Sequence, residues 1–335
     1  MSGDSEIFER PLGHEPLLER LDRLADLARG EDRRGLHHAY VFAGPTGIGK
    51  FATALWWASL LKCQLAGQCS RGSGCPTCSQ ISAGTHRDVH ILNPESEGAK
   101  IKIDQTRSLL STMARRPTCD GPNIAIVREA DSILPAAQNS LLKLLEEPPG
   151  FAVLILVADN PAGLLPTIRS RCQVIRFGAL PEADLLTVLN KHGFEGADAA
   201  RMAAAGRGSA GRALALDPEG LDNLDALHAA LEQVGTDDGD MDGLLDAMIA
   251  RKTSGYALEE LLAWQLRKLR VRLGVDSPDD PTLAPQVRDA LEAAHQSEPF
   301  ELAQTGERML RTASALERNA NAKIAIRDLL LHVRG

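Results

Sequence analysis

Residues 44–51 read GPTGIGKF and directly follow the apolar stretch HHAYVFA. The first seven match the phosphate-binding pattern G-x-x-x-x-G-K-[ST], a glycine-rich turn that leads from a strand into a helix. The flanking residues agree with that context, because HHAYVFA predicts a buried strand and KFATALWWASLLKC predicts a helix whose N-terminus would face a bound phosphate. The motif therefore predicts an α/β domain of the nucleotide-binding kind.

The eighth position departs from the pattern. Phe51 stands where a serine or threonine hydroxyl would ligate the magnesium ion of the nucleotide. Backbone amides around Gly44, Gly47 and Gly49 can still form an anion-binding turn, and Lys50 can still neutralise phosphate charge. Two interpretations remain open: a hydrolase with an unusual residue, or a retained turn that has lost the reaction.

A second magnesium contact is expected after a later strand of such a domain. Proteins of this kind place an aspartate there to hold the metal. The sequence reads IAIVREAD, so Arg128 occupies the aspartate's place, followed by Glu129. A cation at this position opposes a divalent metal, and both magnesium contacts are therefore missing. Asp131 is predicted to cap the following helix.

Strand-like and helix-like segments alternate through the first half of the chain. The segments DVHIL, NIAIV, FAVLILVA and CQVIRF predict strands, and PAAQNSLLKLLEEPP predicts a helix that starts at Pro135 and ends before Pro148. Such alternation predicts a mainly parallel sheet with helices on both faces. Beyond Phe177 only helical patterns follow. We therefore expect an α/β core over residues 1–178, a small helical lid domain over 179–216 and an all-α domain over 217–335.

Four cysteines lie close together in the sequence: Cys63, Cys69, Cys75 and Cys78, spaced C-x5-C-x5-C-x2-C. Four thiolates in so short a segment suit a tetrahedral structural zinc, which leaves no open position for catalysis. Residues 63–78 are thus predicted to form a zinc-binding insert. Reduced, unligated thiols are the alternative, and a redox role is less favoured because it would need only the C-x-x-C pair.

Charge and hydropathy limit the classes of function. The formal net charge is -8 and the pI is about 5.6, which argues against a surface dominated by nucleic-acid contacts. A stand-alone zinc protein that binds DNA is correspondingly disfavoured. No apolar run reaches the length of a membrane span, and the start of the chain lacks an apolar export signal. We expect a cytoplasmic protein.

Two arginines precede the last predicted strand. Arg169 and Arg171 lie in the segment PTIRSRC. An arginine in a loop is ordinarily a solvated charge or an ion-pair partner. An arginine supplied to a neighbouring subunit's γ-phosphate, however, can accelerate hydrolysis by ~10³- to 10⁵-fold.

Together these motifs resemble one family. HHAYVFAGPTGIGK, the cysteine insert, NSLLKLLEEPP and TIRSRC follow one another in the order found in the clamp-loader subunits of bacterial DNA polymerase III, of the AAA+ superfamily. The resemblance covers residues 15–215 with specific motifs, and the C-terminal part only by length and pattern. It implies an AAA+ core and lid held by a C-terminal helical collar in a five-subunit ring, which loads the sliding clamp on primed DNA.

Two branches of that family compete: the ATP-hydrolysing gamma/tau motor and the non-hydrolysing delta-prime type. Resemblance to the motor would require a hydroxyl at position 51, an aspartate at 128 and an arginine in the lid motif G-S-x-R. The chain has Phe51, Arg128 and, within GSAGRAL, Gly211. These departures favour the delta-prime type, a DNA polymerase III holoenzyme component without ATPase activity of its own. Whether ATP binds at all stays open.

The resemblance also implies roles for particular residues. Arg171 matches the arginine of the family's S-R-C motif and would act as an arginine finger in trans on a neighbouring motor subunit. The four cysteines match the family's zinc site, where the usual spacing is C-x8-C-x2-C-x2-C, so Cys69 departs from the pattern. Implied partners are the gamma/tau and delta subunits and, through them, the sliding clamp and DNA. No membrane is implied.

Overall fold

The computed structural model describes residues 10–29, 35–63, 75–96 and 98–216, together with a few short pieces between 221 and 312. The chain divides into two compact units, Met1–Ala215 and Leu216–Gly335. Nearly all described residues belong to the first unit. The predicted all-α domain over 217–335 lies mostly outside the described residues, although the short pieces within it are largely helical.

The first unit contains a five-stranded sheet. Its strands are β1 (Ala39–Ala43), β2 (Val89–Leu92), β3 (Asn123–Val127), β4 (Ala152–Ala158) and β5 (Gln173–Arg176). They lie in the order β2-β3-β4-β1-β5, and every neighbouring pair is parallel. Each strand falls within a segment that its sequence pattern predicted, so the predicted parallel sheet is confirmed.

Helices connect the strands and continue beyond the last one. Those of the sheet region are α1 (Glu15–Arg29), α2 (Lys50–Lys62), α3 (Pro76–Ser82), α4 (Ile103–Met113), α5 (Pro135–Glu146) and α6 (Pro166–Arg169). Three further helices follow β5: α7 (Glu182–Lys191), α8 (Gly196–Gly206) and α9 (Ala210–Leu214). Helix α5 begins at Pro135 and ends at Glu146, as predicted from the prolines on either side. Among the described helices, none is both long and apolar enough to cross a membrane.

The sheet separates two apolar cores because successive strand residues point to opposite faces. On one face, Tyr40 and Phe42 of β1 pack with Trp56 and Trp57 of α2 and with apolar residues of α1. On the other face, Val41 and its alternate neighbours pack against α4, α5 and α6. Strand β4 is buried along its whole length, since it lies at the centre of the sheet with helices on both sides.

The parallel topology decides which loops meet. The carboxyl ends of parallel strands share one edge of the sheet, and ligands of such folds bind outside that edge. The loop after β1, Arg128 after β3 and Asp159 after β4 are therefore brought together. Arg171 precedes β5, whose register pairs Tyr40 with Gln173. It consequently lies at the opposite edge.

The prediction that Asp131 caps the next helix is wrong. Asp131 lies in a short 3-10 helix, Ala130–Ser132, and the residue that precedes α5 as its N-cap is Leu134. Proline at the first helical position has no N–H, which leaves one fewer donor to be capped. The Asp131 carboxylate instead accepts a hydrogen bond from the backbone N–H of Asn160, at 3.1 Å.

Candidate functional site

The ammonium group of Lys50 is turned back onto its own loop. It donates to the carbonyl oxygens of Gly44, at 2.6 Å, and of Pro45, and it forms an ion pair with the carboxylate of Asp159 at 2.7 Å. The lysine side chain is only 4% exposed. An ammonium group has three N–H donors, and these three contacts use all of them. A phosphate group could be bound by Lys50 only if one of these bonds were broken.

Asp159 holds the loop at a second point. Its other carboxylate oxygen accepts a hydrogen bond from the Thr46 hydroxyl. Asp159 directly follows β4. Every residue of β1 is paired with a residue of β4, from Leu154 to Ala158. The aspartate thus brings a negative charge to the rim of the loop, where a phosphate group would also be negative, and the two would repel.

The two residues at the positions predicted for magnesium ligands contact each other. The Arg128 guanidinium carbon lies 4.4 Å from the centroid of the Phe51 ring. Phe51 is in the first turn of α2, and Arg128 follows β3. An arginine over an aromatic ring is held by a cation–π attraction of ~0.5–1 kcal/mol at exposed sites. A ring and a guanidinium together offer no oxygen ligand to a divalent cation.

Helix α9 and the residues before it pack directly on the glycine loop. The Ser209 hydroxyl donates to the carbonyl oxygen of Thr46 at 2.9 Å, and the Gly211 N–H donates to that of Gly47 at 2.8 Å. A Cβ atom on Gly211 would lie 2.8 Å from the Cα atom of Gly47, closer than real side chains approach. A Cβ atom on Gly47 would in turn collide with the Ser209 hydroxyl. Both glycines are therefore required by the closeness of this contact.

Three of the four clustered cysteines come together. The Sγ atoms of Cys63, Cys75 and Cys78 all lie within 4.8 Å of one another, and those of Cys63 and Cys75 are 3.6 Å apart. The three residues are buried and form no disulfide. Thiolates around one tetrahedral zinc at ~2.3 Å would be about 3.8 Å apart, so the thiol spacing fits such an ion. Cys69 lies outside the described residues.

Helix geometry accounts for this cluster. Cys63 follows the end of α2, while Cys75 is the N-cap residue of α3 and Cys78 lies in its first turn. Residues three apart on a helix share a face, which places the last two thiols side by side. Cysteine thiolates are the ligands that soft metals such as zinc take in structural sites. The donor set is therefore suited to a soft divalent metal.

A buried ion pair lies next to the cluster. Lys62, directly before Cys63, donates to the Asp88 carboxylate at 2.8 Å, and the two side chains are 0% and 4% exposed. The carboxylate also accepts the backbone N–H groups of Thr118 and Cys119. Burial alone would raise the pKa of Asp88, but these hydrogen bonds and the charge of Lys62 outweigh it and lower the pKa to about 2. The pair joins the end of α2 to the 118–119 loop.

Arg171 is held by two contacts at the far edge of the sheet. One terminal nitrogen forms an ion pair with the Glu146 carboxylate at 3.0 Å, and the other donates to the Thr167 carbonyl oxygen at 3.0 Å. The side chain is 37% exposed. Strand β5 alone separates it from the glycine-loop edge by about 13 Å, at ~3.3 Å for each of its four residues. Arg171 therefore lies at the opposite edge of the sheet from the glycine loop of its own chain.

Sequence reasoning identified the glycine loop, Phe51, Arg128 and the cysteines, but it missed Asp159 and Glu146. Both lie at the ends of predicted elements. The signal that could have found Asp159 is its place directly after a strand, since such residues gather at the ligand edge of a parallel sheet. Its pairing with Lys50 depends on β4 lying beside β1, an order that spacing does not encode.

Comparison with known proteins agrees with the motifs. Residues 22–181 match the family model described as DNA polymerase III, delta subunit. DNA polymerase III subunit delta' of Pseudomonas aeruginosa is 41% identical over 135 residues, which are 40% of this chain and 41% of that protein. The Escherichia coli protein of the same name is 32% identical over 181 residues, 54% of each chain. The chain thus matches about half or less of the length of these relatives.

More distant matches carry a related name. DNA polymerase III subunit gamma/tau of Mycobacterium tuberculosis is 31% identical over 167 residues, 49% of this chain and 28% of that protein. Among solved structures, a DNA polymerase III gamma subunit-related protein of Thermotoga maritima superposes with a TM-score of 0.46 at 19% identity, covering 94% of this chain and 98% of that one.

Proposed function

We propose that the chain is a DNA polymerase III subunit of the delta-prime type and a non-hydrolysing component of the clamp loader, because residues 22–181 match the family model described as DNA polymerase III, delta subunit, and the aligned segments are 32–41% identical to subunits named delta'. In this role it helps to load the sliding clamp on primed DNA within the DNA polymerase III holoenzyme. Its neighbours are gamma/tau motor subunits and a delta subunit in a five-membered ring. The unit up to residue 215 provides an AAA+ core and lid, the C-terminal residues provide the collar, and the cytoplasm is the expected compartment.

The observation that carries this proposal is the state of the glycine loop. The three N–H donors of Lys50 are bonded to Gly44, Pro45 and Asp159. Arg128 lies over the ring of Phe51, where the motif predicts a magnesium ion to be coordinated. Hydrolysis of a nucleotide needs a bound metal that bridges the phosphates and neutralises developing charge. With neither a metal ligand nor an available lysine, the loop serves as a scaffold.

The position of Arg171 supports a role in a neighbouring subunit. The residue lies at the edge opposite its own glycine loop and is partly exposed. An arginine that stabilises the charge of a transferring phosphoryl group can be supplied by a neighbouring chain. Arg171 therefore acts in trans on ATP bound by an adjacent motor subunit.

The cysteine cluster supports a structural zinc. Cys63, Cys75 and Cys78 would hold the ion through their thiolates, with Cys69 as the proposed fourth ligand. Four cysteine ligands close the coordination shell, so the metal ties α2 to α3 and takes no part in chemistry.

Reconstitution of the loader with gamma/tau and delta subunits tests the trans role. Arg171→Ala is expected to leave ring assembly intact and to slow ATP turnover at saturating ATP at least tenfold, because phosphoryl-transfer charge loses its stabilising cation. Arg169→Ala is the matched control, since Arg169 is exposed and only two residues away. Normal turnover in the assembled Arg171→Ala ring would overturn the role.

An ATP-hydrolysing gamma/tau-type motor is the alternative, and the 31% identity to gamma/tau proteins is the observation in its favour. Turnover by the isolated chain separates the two. Magnesium-dependent hydrolysis that Lys50→Ala abolishes would establish the motor and exclude the scaffold.

A further inference from the structure

The contacts of Arg171 single out a residue that its sequence motif does not contain. Glu146 is the last residue of α5, and Arg171 lies between α6 and β5. Their ion pair, at 3.0 Å, therefore spans two separate elements. The other terminal nitrogen of Arg171 donates a hydrogen bond to the carbonyl oxygen of Thr167 in α6. The guanidinium is thus held by contacts to two separate helices, α5 and α6.

The geometry of a guanidinium decides what these two contacts leave available. The group carries five N–H donors in a rigid plane. Glu146 and Thr167 each engage one terminal nitrogen, and each of those nitrogens carries two hydrogens. The remaining N–H groups can bind phosphate oxygens while both anchors stay in place. The observed arrangement is therefore compatible with a working arginine, with no need for release.

We infer that Glu146 is a positioning residue, which holds the Arg171 guanidinium pre-oriented for a phosphate group on a neighbouring chain. The physical reason is entropic. A free arginine side chain loses rotamer freedom when it is fixed, and an anchor within the same chain removes part of that loss before the subunits meet. The inference rests on the proposed trans role of Arg171.

The size of the effect follows from exposure. Glu146 is 51% exposed and Arg171 37%, and ion pairs of this kind contribute ~0.2–1 kcal/mol. Loss of the anchor should therefore slow turnover by between about 1.4-fold and about fivefold, since 1.4 kcal/mol corresponds to a factor of ten. The loss falls on the maximal rate, because Arg171 serves the transition state, and not on the KM for ATP.

The test uses the reconstituted ring with Glu146→Ala, Glu146→Gln, Arg171→Ala and the double variant. We expect Glu146→Ala to lower kcat by between about 1.4-fold and about fivefold at unchanged KM. Glu146→Gln keeps an oxygen acceptor and should lower kcat less than Glu146→Ala does. In the Arg171→Ala background, Glu146→Ala should have no further effect. Glu147→Ala is the matched control, because Glu147 is exposed and forms no ion pair with any residue that the structure describes.

The possible outcomes separate the inference from its premise. If Arg171→Ala slows the assembled ring and Glu146→Ala leaves kcat unchanged or raises it, Glu146 does not position the arginine. If the two substitutions have additive effects, Glu146 acts by another route and the inference also fails. If Arg171→Ala itself has no effect on turnover, the proposed trans role of Arg171 is wrong, and the inference about Glu146 fails with it. Thermal melting of each variant and size measurement of each ring identify any loss caused by misfolding.

Discussion

The guanidinium of Arg128 lies 4.4 Å from the ring centroid of Phe51, although 76 residues separate them in the chain and each stands where the sequence pattern predicts a different magnesium ligand. The two departures from the nucleotide-hydrolase pattern are thus one structural feature. The cation is stabilised by the aromatic face, and neither side chain has an oxygen atom with which to coordinate magnesium. A reversal at one position alone would leave the other group in place.

This arrangement predicts that restoring the metal ligands does not restore hydrolysis. Phe51→Thr, Arg128→Asp and the double variant of the isolated chain should all show no magnesium-dependent phosphate release. The reason is that Lys50 stays bonded to Asp159 and the Gly211 segment stays packed on Gly47. Turnover in the double variant that also requires Lys50 would contradict this and show that only the metal ligands had been lost.

The contact between Gly211 and Gly47 predicts an unusual cost for a small substitution. Alanine favours a helix by ~1 kcal/mol over glycine, yet a Cβ atom at position 211 would lie 2.8 Å from a backbone atom of the loop. We expect Gly211→Ala to lower the free energy of unfolding by about 1–3 kcal/mol, as overpacking does. Urea denaturation measures the change, and amide exchange of residues 44–50 should quicken.

Gly150→Ala is the matched control for that substitution. A Cβ atom there meets no atom within 4 Å, and neither glycine has a positive φ. The control should be neutral or stabilise by up to ~1 kcal/mol through reduced entropy of the unfolded chain. Equal effects of the two substitutions would mean that the contact between Gly211 and Gly47 is loose in solution.

The buried pair of Lys62 and Asp88 predicts a large loss on removal of one partner. Asp88→Asn leaves the Lys62 ammonium buried without a compensating charge, which costs ~3–5 kcal/mol at neutral pH. Denaturant unfolding measures the loss. Asp104→Asn is the control, because that carboxylate is 89% exposed and surface changes stay within ~0.5 kcal/mol.

The same pair also has a defined pH dependence. The pKa of Asp88 is lowered from 3.8 to about 2 in the folded protein. Its stabilising contribution is therefore complete above about pH 5 and is lost as the pH falls from about 4 towards 2. The stability difference between the unaltered protein and Asp88→Asn should shrink over that range and stay constant from pH 5 to 8. A difference independent of pH down to 2.5 would contradict the ion pair.

The thiol cluster predicts about one zinc ion per chain, measured by elemental analysis after purification without chelators. Cys75→Ser and Cys78→Ser should each lose the metal and lower the melting temperature, because metal binding and folding of such sites are coupled. Cys119→Ser should retain it, since Cys119 is exposed and outside the cluster. Retention of the metal by Cys69→Ser would remove that residue from the ligand set. Absence of zinc in the unaltered protein would refute the site.

The sequence by itself determined the elements of the α/β unit, and it predicts the loss of the metal ligands. The strands follow from short apolar runs, and the bounds of α5 follow from Pro135 and Pro148. These signals are local, because helix and strand periodicity and proline geometry act over a few residues. The prediction that both magnesium contacts are missing required only the residue types at positions 51 and 128, which are Phe51 and Arg128.

Only the tertiary structure decided which distant residues meet. Lys50 is paired with Asp159 because β4 lies beside β1, and Gly211 must be glycine because its backbone touches Gly47. Glu146 reaches Arg171 because α5 packs beside α6. Such contacts join residues 25–164 positions apart. They depend on the order of strands and on the close packing of elements, which no local pattern encodes.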